Sequence, residues 1–83
     1  MTDVGFPATE YSFTDIETVA VKASAGRIFA IAAKTAGITI KNGTTAVWYV
    51  PANTSLIFDC PLELSASINL TSDATAKAYV QYE

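Results

Sequence analysis

Cys60 is the strongest potential nucleophile in this 83-residue sequence, and nothing beside it would activate it. A Ser, Thr or Cys nucleophile needs a base within hydrogen-bond reach, usually a histidine. The sequence has no histidine. Asp59 precedes Cys60, but neighbours on a strand point to opposite faces, so this order does not make a dyad. Cys60 is in phase with Leu56 and Phe58 and reads as a buried structural thiol. Asp59 and Glu63 flank Pro61 and could approach each other at a strand junction. Paired carboxylates hydrolyse glycosides when they flank a cleft. A chain this short offers no large cleft, so the two read as a solvated pair. Gly26-Arg27 lacks the Gly-x4-Gly-Lys spacing of a phosphate loop. With one thiol, no histidine and scattered carboxylates, neither a metal site nor a cofactor is expected. The sequence reads as that of a non-enzymatic protein.

Aromatic residues are what remains to bind with. Trp48 and Tyr49 are adjacent, so on a strand one faces in and the other out. Tyr79 falls on the outward phase of the last strand, and Phe6, Tyr11 and Phe13 crowd the N-terminal stretch. Exposed Trp or Tyr anchors protein interfaces or stacks on sugars. Buried, the same Trp48 is core or lies beneath the N-terminal segment. The candidate interface residues are therefore Phe6, Tyr11, Phe13, Trp48 and Tyr79.

Size decides what must position them. Eighty-three residues make one domain, and a domain this small buries only roughly 60–65% of its unfolded surface. Small folds often compensate with disulfides, metals or association. A lone cysteine allows no intrachain disulfide, which leaves association with copies of itself or with a larger surface. Net charge is −3, which gives nucleic-acid binding no electrostatic support. No apolar run approaches the ~20 residues of a membrane-spanning helix. Residues 1–17 hold four acids and no base, unlike a signal or transit peptide, so synthesis in a cytoplasm is expected. Residues 18–83 hold five bases and four acids. The N-terminal stretch has no sustained period and reads as an extended arm, with at most a short strand, either solvated or docked on a neighbour.

From Thr18 onward the apolar period is two. Val19, Val21 and Ala23 alternate with Thr18, Ala20 and Lys22. Ile28 to Ala33 is apolar on both faces and fits a central strand covered on both sides. Asn42-Gly43 between alternating runs predicts a type I′ hairpin with a return strand over Thr45–Val50. Leu56, Phe58 and Cys60 form the next inward set, and Pro61 is expected to interrupt the strand. Leu62, Leu64, Ala66, Ile68 and Leu70 continue inward. Ala76, Ala78, Val80 and Tyr82 form the last inward set, opposite Lys77, Tyr79, Gln81 and Glu83. This predicts about seven short strands in residues 18–83: a small antiparallel β-sandwich, jelly-roll-like, preceded by an arm over residues 1–17. Three Asn-x-Ser/Thr sequences, at Asn42, Asn53 and Asn69, carry no weight in a cytoplasmic chain, and two of them are turn residues.

The order of segments resembles a known class. Val19-Ala20-Val21-Lys22-Ala23-Ser24-Ala25-Gly26-Arg27-Ile28-Phe29 is followed by a long apolar strand and the hairpin. Leu56-Ile57-Phe58-Asp59-Cys60-Pro61-Leu62 and a final Tyr79-Val80-Gln81-Tyr82-Glu83 complete the series. Over residues 18–83 this is similar to small structural proteins of tailed bacteriophages, the capsid decoration (cement) and head-fibre proteins. It departs at residues 62–70, where Leu62-Glu63-Leu64-Ser65 stands in place of a Gly-containing turn. The resemblance implies a virion protein on the capsid surface, made in the host cytoplasm. It implies many copies, often trimers, that bridge neighbouring copies of the major capsid protein. A fibre or tail component and a small carbohydrate-binding module using Trp48, Tyr49 or Tyr79 are the alternatives.

Overall fold

Eight antiparallel strands form two four-stranded sheets in a computed structural model that describes residues 6–83. The strands are β1 (Thr9–Phe13), β2 (Thr18–Lys22), β3 (Gly26–Lys34), β4 (Ile38–Asn42), β5 (Thr45–Val50), β6 (Thr54–Leu64), β7 (Ile68–Ser72) and β8 (Ala76–Tyr82). One sheet has the order β1-β8-β3-β6 and the other β2-β7-β4-β5. Apart from the β4–β5 hairpin, each consecutive pair of strands belongs to different sheets. That is the wrapped, two-Greek-key order of a jelly roll. Residues 18–83 supply seven strands, and the eighth comes from the N-terminal stretch.

The core lies between the sheets. Ile28, Ile31, Ala33, Ala76, Ala78 and Val80 come from one side and Ile38, Ile40, Val50, Ile68 and Leu70 from the other. Alternation along β8 and β7 places these side chains, as their buried–exposed patterns show. β3 is covered on both faces because it is central and its outward residues are small. Ala30 and Ala32 sit below their neighbours Gln81, Ile57, Tyr79 and Ser55 in the register.

The arm belongs partly to the sandwich. Thr9–Phe13 pairs along its whole length with β8, and Phe13 is only 1% exposed. An apolar residue opposite Ala76 on the inward face is drawn into the core, where the small partner leaves it room. The chain then turns the corner into β2. Ser72, buried, donates its hydroxyl to the Asp15 carbonyl at 2.7 Å and accepts from the Glu17 amide at 3.4 Å. The Thr75 hydroxyl donates to the Thr14 carbonyl at 2.9 Å.

Three local expectations are corrected. β6 runs through Pro61 without a break. It is an edge strand, where a missing N–H faces solvent and costs no ladder bond. The break falls instead at residues 65–67, so Ala66 is exposed in a turn rather than inward. That turn is held by Asn42, whose Oδ1 accepts from the Ala66 amide at 2.8 Å and whose Nδ2 donates to Ser65 Oγ at 3.2 Å. Asn42 is therefore the last residue of β4. The β4–β5 hairpin turns on Gly43-Thr44, with positive φ at Gly43 alone. A glycine with positive φ at the first central position is the type II′ pattern, not type I′.

Candidate functional site

Edge strands carry the side chains that the core leaves over. β5 is the outer strand of its sheet and β6 the outer strand of the other, and the two lie on the same flank of the sandwich. Among the described residues, apart from Ile16, the large apolar side chains that remain exposed sit on these two strands: Val47, Trp48, Tyr49 and Ile57.

A bulge in β5 sets their directions. Ile40 pairs with Trp48 and Lys41 with Ala46, which leaves Val47 as the extra residue. Trp48 therefore shares the inward face with Ile40, but at an edge there is no further strand to cover it, and it stays 47% exposed. Its ring meets Phe58 of β6 edge-on, with centroids 5.5 Å apart and planes at 83°. The pair closes the gap between the two sheets along this flank. Such a contact adds about 0.5–1.5 kcal/mol beyond its buried area.

Tyr49 points the other way, onto the outer face. Its phenol lies over Gly37, where a side chain of any size would collide with the hydroxyl. That hydroxyl donates to Asp73 Oδ2 at 2.6 Å. The bond to the carboxylate, with lesser help from burial and the carboxylate's charge, raises the Tyr49 pKa above its ordinary value.

The other candidates are placed as follows. Phe13 is core and not available to a partner, so it is withdrawn as an interface anchor. Tyr11 faces inward on β1, half-buried, and donates to the Tyr82 hydroxyl at 3.4 Å. Burial, then that hydrogen bond and its neighbour's charge, push its pKa up to about 12. Tyr79 is half-buried on the outer face of β8, beside Ala32 and Glu10 in the register. Phe6 is half-buried in the segment before β1. The structure thus brings Trp48 beside Phe58, and sets Tyr11 and Tyr79 on different strands and faces. Ile57, 70% exposed, is not among the sequence candidates: alternation with Leu56 and Phe58 gives its outward phase, but its exposure follows from the edge position of β6.

Cys60 is exposed, not buried. Between the pairs Ile28–Leu62 and Ala30–Ile57, residues 58–61 of β6 stand opposite Phe29 alone. The extra residues bow the strand outward and break the period that placed Cys60 with Leu56 and Phe58. Glu63, at the far side of this bow, approaches Arg27 at 3.8 Å in an exposed ion pair. One surface depression, about 520 Å³, is lined by Pro7, Ala8, Thr9, Val80, Gln81 and Tyr82, with no pair of carboxylates in it. Among the described residues no group of three or more His, Cys, Asp or Glu gathers where a metal ion could be held. No helix of the described residues is long and apolar enough to cross a membrane.

No family model, curated protein or solved structure matches the chain. The site must be read on its own geometry: an apolar, aromatic flank on a small jelly roll whose remaining large apolar side chains, Ile16 excepted, are at least partly covered among the described residues.

Proposed function

We propose that this chain is a non-enzymatic structural protein that works by packing against other proteins, as a decoration protein on the capsid of a tailed bacteriophage. The observation that carries the first half is the collection of Val47, Trp48, Tyr49 and Ile57 on one flank. Large apolar side chains left exposed on one flank of a small fold mark an interaction site, and exposed Trp and Tyr are the usual anchors of one. The second half rests on the resemblance of residues 18–83 to phage decoration and head-fibre proteins. Fold alone adds nothing to it, because jelly rolls host unrelated functions. In this reading the partners are the major capsid protein and further copies of the chain, and the location is the capsid surface. The test is whether the protein co-sediments with intact particles from its source in many stoichiometric copies. Saturable, stoichiometric attachment supports the reading, and a chain absent from particles overturns it.

A second reading has its own observation. Tyr49 is half-exposed, fixed over Gly37, and its neighbour Asp73 offers hydrogen-bond acceptors. An aromatic platform beside a carboxylate suits a sugar ring. A glycan screen read by Trp48 fluorescence separates the two: a decoration protein ignores sugars, whereas a carbohydrate-binding module responds to one class at saturable concentration.

A further inference from the structure

We propose that the β5–β6 flank is where two copies of this chain meet about a two-fold axis, with β5 of one copy beside β5 of the other. The proposal deepens the reading of the chain as an assembly protein by naming the occupant of its apolar flank.

The argument compares the four sheet edges. An edge strand exposes unpaired backbone groups, and proteins blunt it with charge, proline or bulges. β1 carries Glu10, and β2 carries Lys22. β6 carries Asp59, Pro61 and Glu63 and bows away from its neighbour. β5 carries no charge and no proline, only the Val47 bulge, and its burial pattern is exposed from Thr45 to Tyr49. Its uncharged stretch is long: between Lys41 and Asp59 there is no ionisable acid or base except the Tyr49 phenol.

That neutrality points to a second copy. In a two-fold contact each side chain near the axis meets its own duplicate, so any charge there would face a like charge. The whole chain carries −3, so two copies repel one another over most approaches. Residues 42–58 are where they touch without that repulsion. A partner of opposite charge would instead be expected to meet an acidic strand, and β5 itself carries no acid. Trp48, about half exposed, presents on the order of 100 Å² of aromatic surface at this edge. With Val47 and the unpaired backbone of β5 added, the contact still falls below the roughly 800 Å² per partner of a standard interface. The dimer is therefore a weak one that dissociates on dilution.

The experiment uses purified full-length protein in sedimentation velocity, from low micromolar to near-millimolar concentration. Trp48, the sole tryptophan, serves as a reporter at the seam. The expected result is a concentration-dependent rise from the 8.8 kDa monomer to twice that mass, with a blue shift of tryptophan emission. Thr45→Lys and Val47→Lys, both at exposed positions of β5, place like charges at the seam and should hold the protein monomeric with unchanged melting. Ile16→Lys, at an equally exposed apolar residue on the opposite corner, should leave the association intact. A chain that stays monomeric throughout overturns the proposal. So does a dimer that survives both flank lysines, or one abolished by the Ile16 variant. If one flank variant does not fold, the other decides. Failure here is separable from failure of the decoration reading: a monomer that still binds particles rejects only the dimer, and a dimer that ignores particles rejects only the capsid partner.

Discussion

The Tyr49 hydroxyl donates to Asp73 Oδ2 at 2.6 Å, tying the exposed edge strand β5 to the turn between β7 and β8. The bond crosses the outer face over Gly37, whose missing side chain leaves the phenol its seat. Gly37→Ala should therefore evict the phenol and cost about 1–2 kcal/mol, through the lost bond to a charged acceptor. In a Tyr49→Ala background the same glycine change should cost clearly less, because the obstacle is gone. Urea melts of the four proteins in this cycle measure the coupling. Additive effects would mean that Gly37 is required for another reason.

Alkaline conditions should weaken the fold through Tyr11. Its pKa stands at about 12 against an ordinary 10.0, raised by burial and by the Tyr82 hydroxyl. Between these values the unfolded chain loses the phenolic proton while the folded one keeps it. The folded state then binds more protons, so stability falls as pH rises through the window and is full below it. Tyr49, also raised, adds to the fall in the same direction. Tyr11→Phe should flatten the decline between pH 10 and 12, as read from denaturant melts at fixed pH. An unchanged slope would assign the decline elsewhere.

Neighbours on β8 should differ sharply. Val80 is 1% exposed in the core, so Val80→Asp buries an unpaired charge and should unfold the protein. Gln81, one residue on, lies on the outer face, and Gln81→Asp should stay within about 0.5 kcal/mol. Thermal melts that ranked them in reverse would put the register of β8 off by one.

Removing residues 2–17 should be far more damaging than trimming a solvated tail. The deletion takes away β1, its whole ladder with β8, and Phe13. Loss of a buried phenylalanine side chain alone costs about 3–5 kcal/mol, against a total domain stability of roughly 5–15 kcal/mol. The truncated chain should lack a cooperative melt. A sharp transition close to the parent's would show that β1 is dispensable.

The sequence reveals the parts of the fold that depend on near neighbours. β8 alternates cleanly and β5 spans the predicted Thr45–Val50. The two-sided apolar run in β3 announced a central strand. What stayed hidden depends on partners distant in the chain. Thr9–Phe13 has no period of its own strong enough to declare a strand, and β8 makes it one. Pro61 looks like a stop until β6 proves to be an edge. Asn42 looks like a turn residue, but its side chain is spent on the backbone of residue 66. Cys60 was assigned a face by simple alternation, which the bow opposite Phe29 overrides. For the candidate site, Trp48 and Tyr49 were legible as an in–out pair. That the inward one stays half exposed follows from edge position, which no local pattern encodes.

The pairing of β1 with β8 alone also governs when the protein can form. During translation the earliest strand emerges from the ribosome first and finds its only sheet neighbour last, after residues 76–82 have been made. β3 likewise waits for both β6 and β8. Loop-closure entropy must be met before such distant pairings are rewarded, so folding should take milliseconds to seconds rather than microseconds. Until then β3, apolar on both faces, is unpaired in the nascent chain. A refolding time course and its sensitivity to a holdase chaperone would expose that interval.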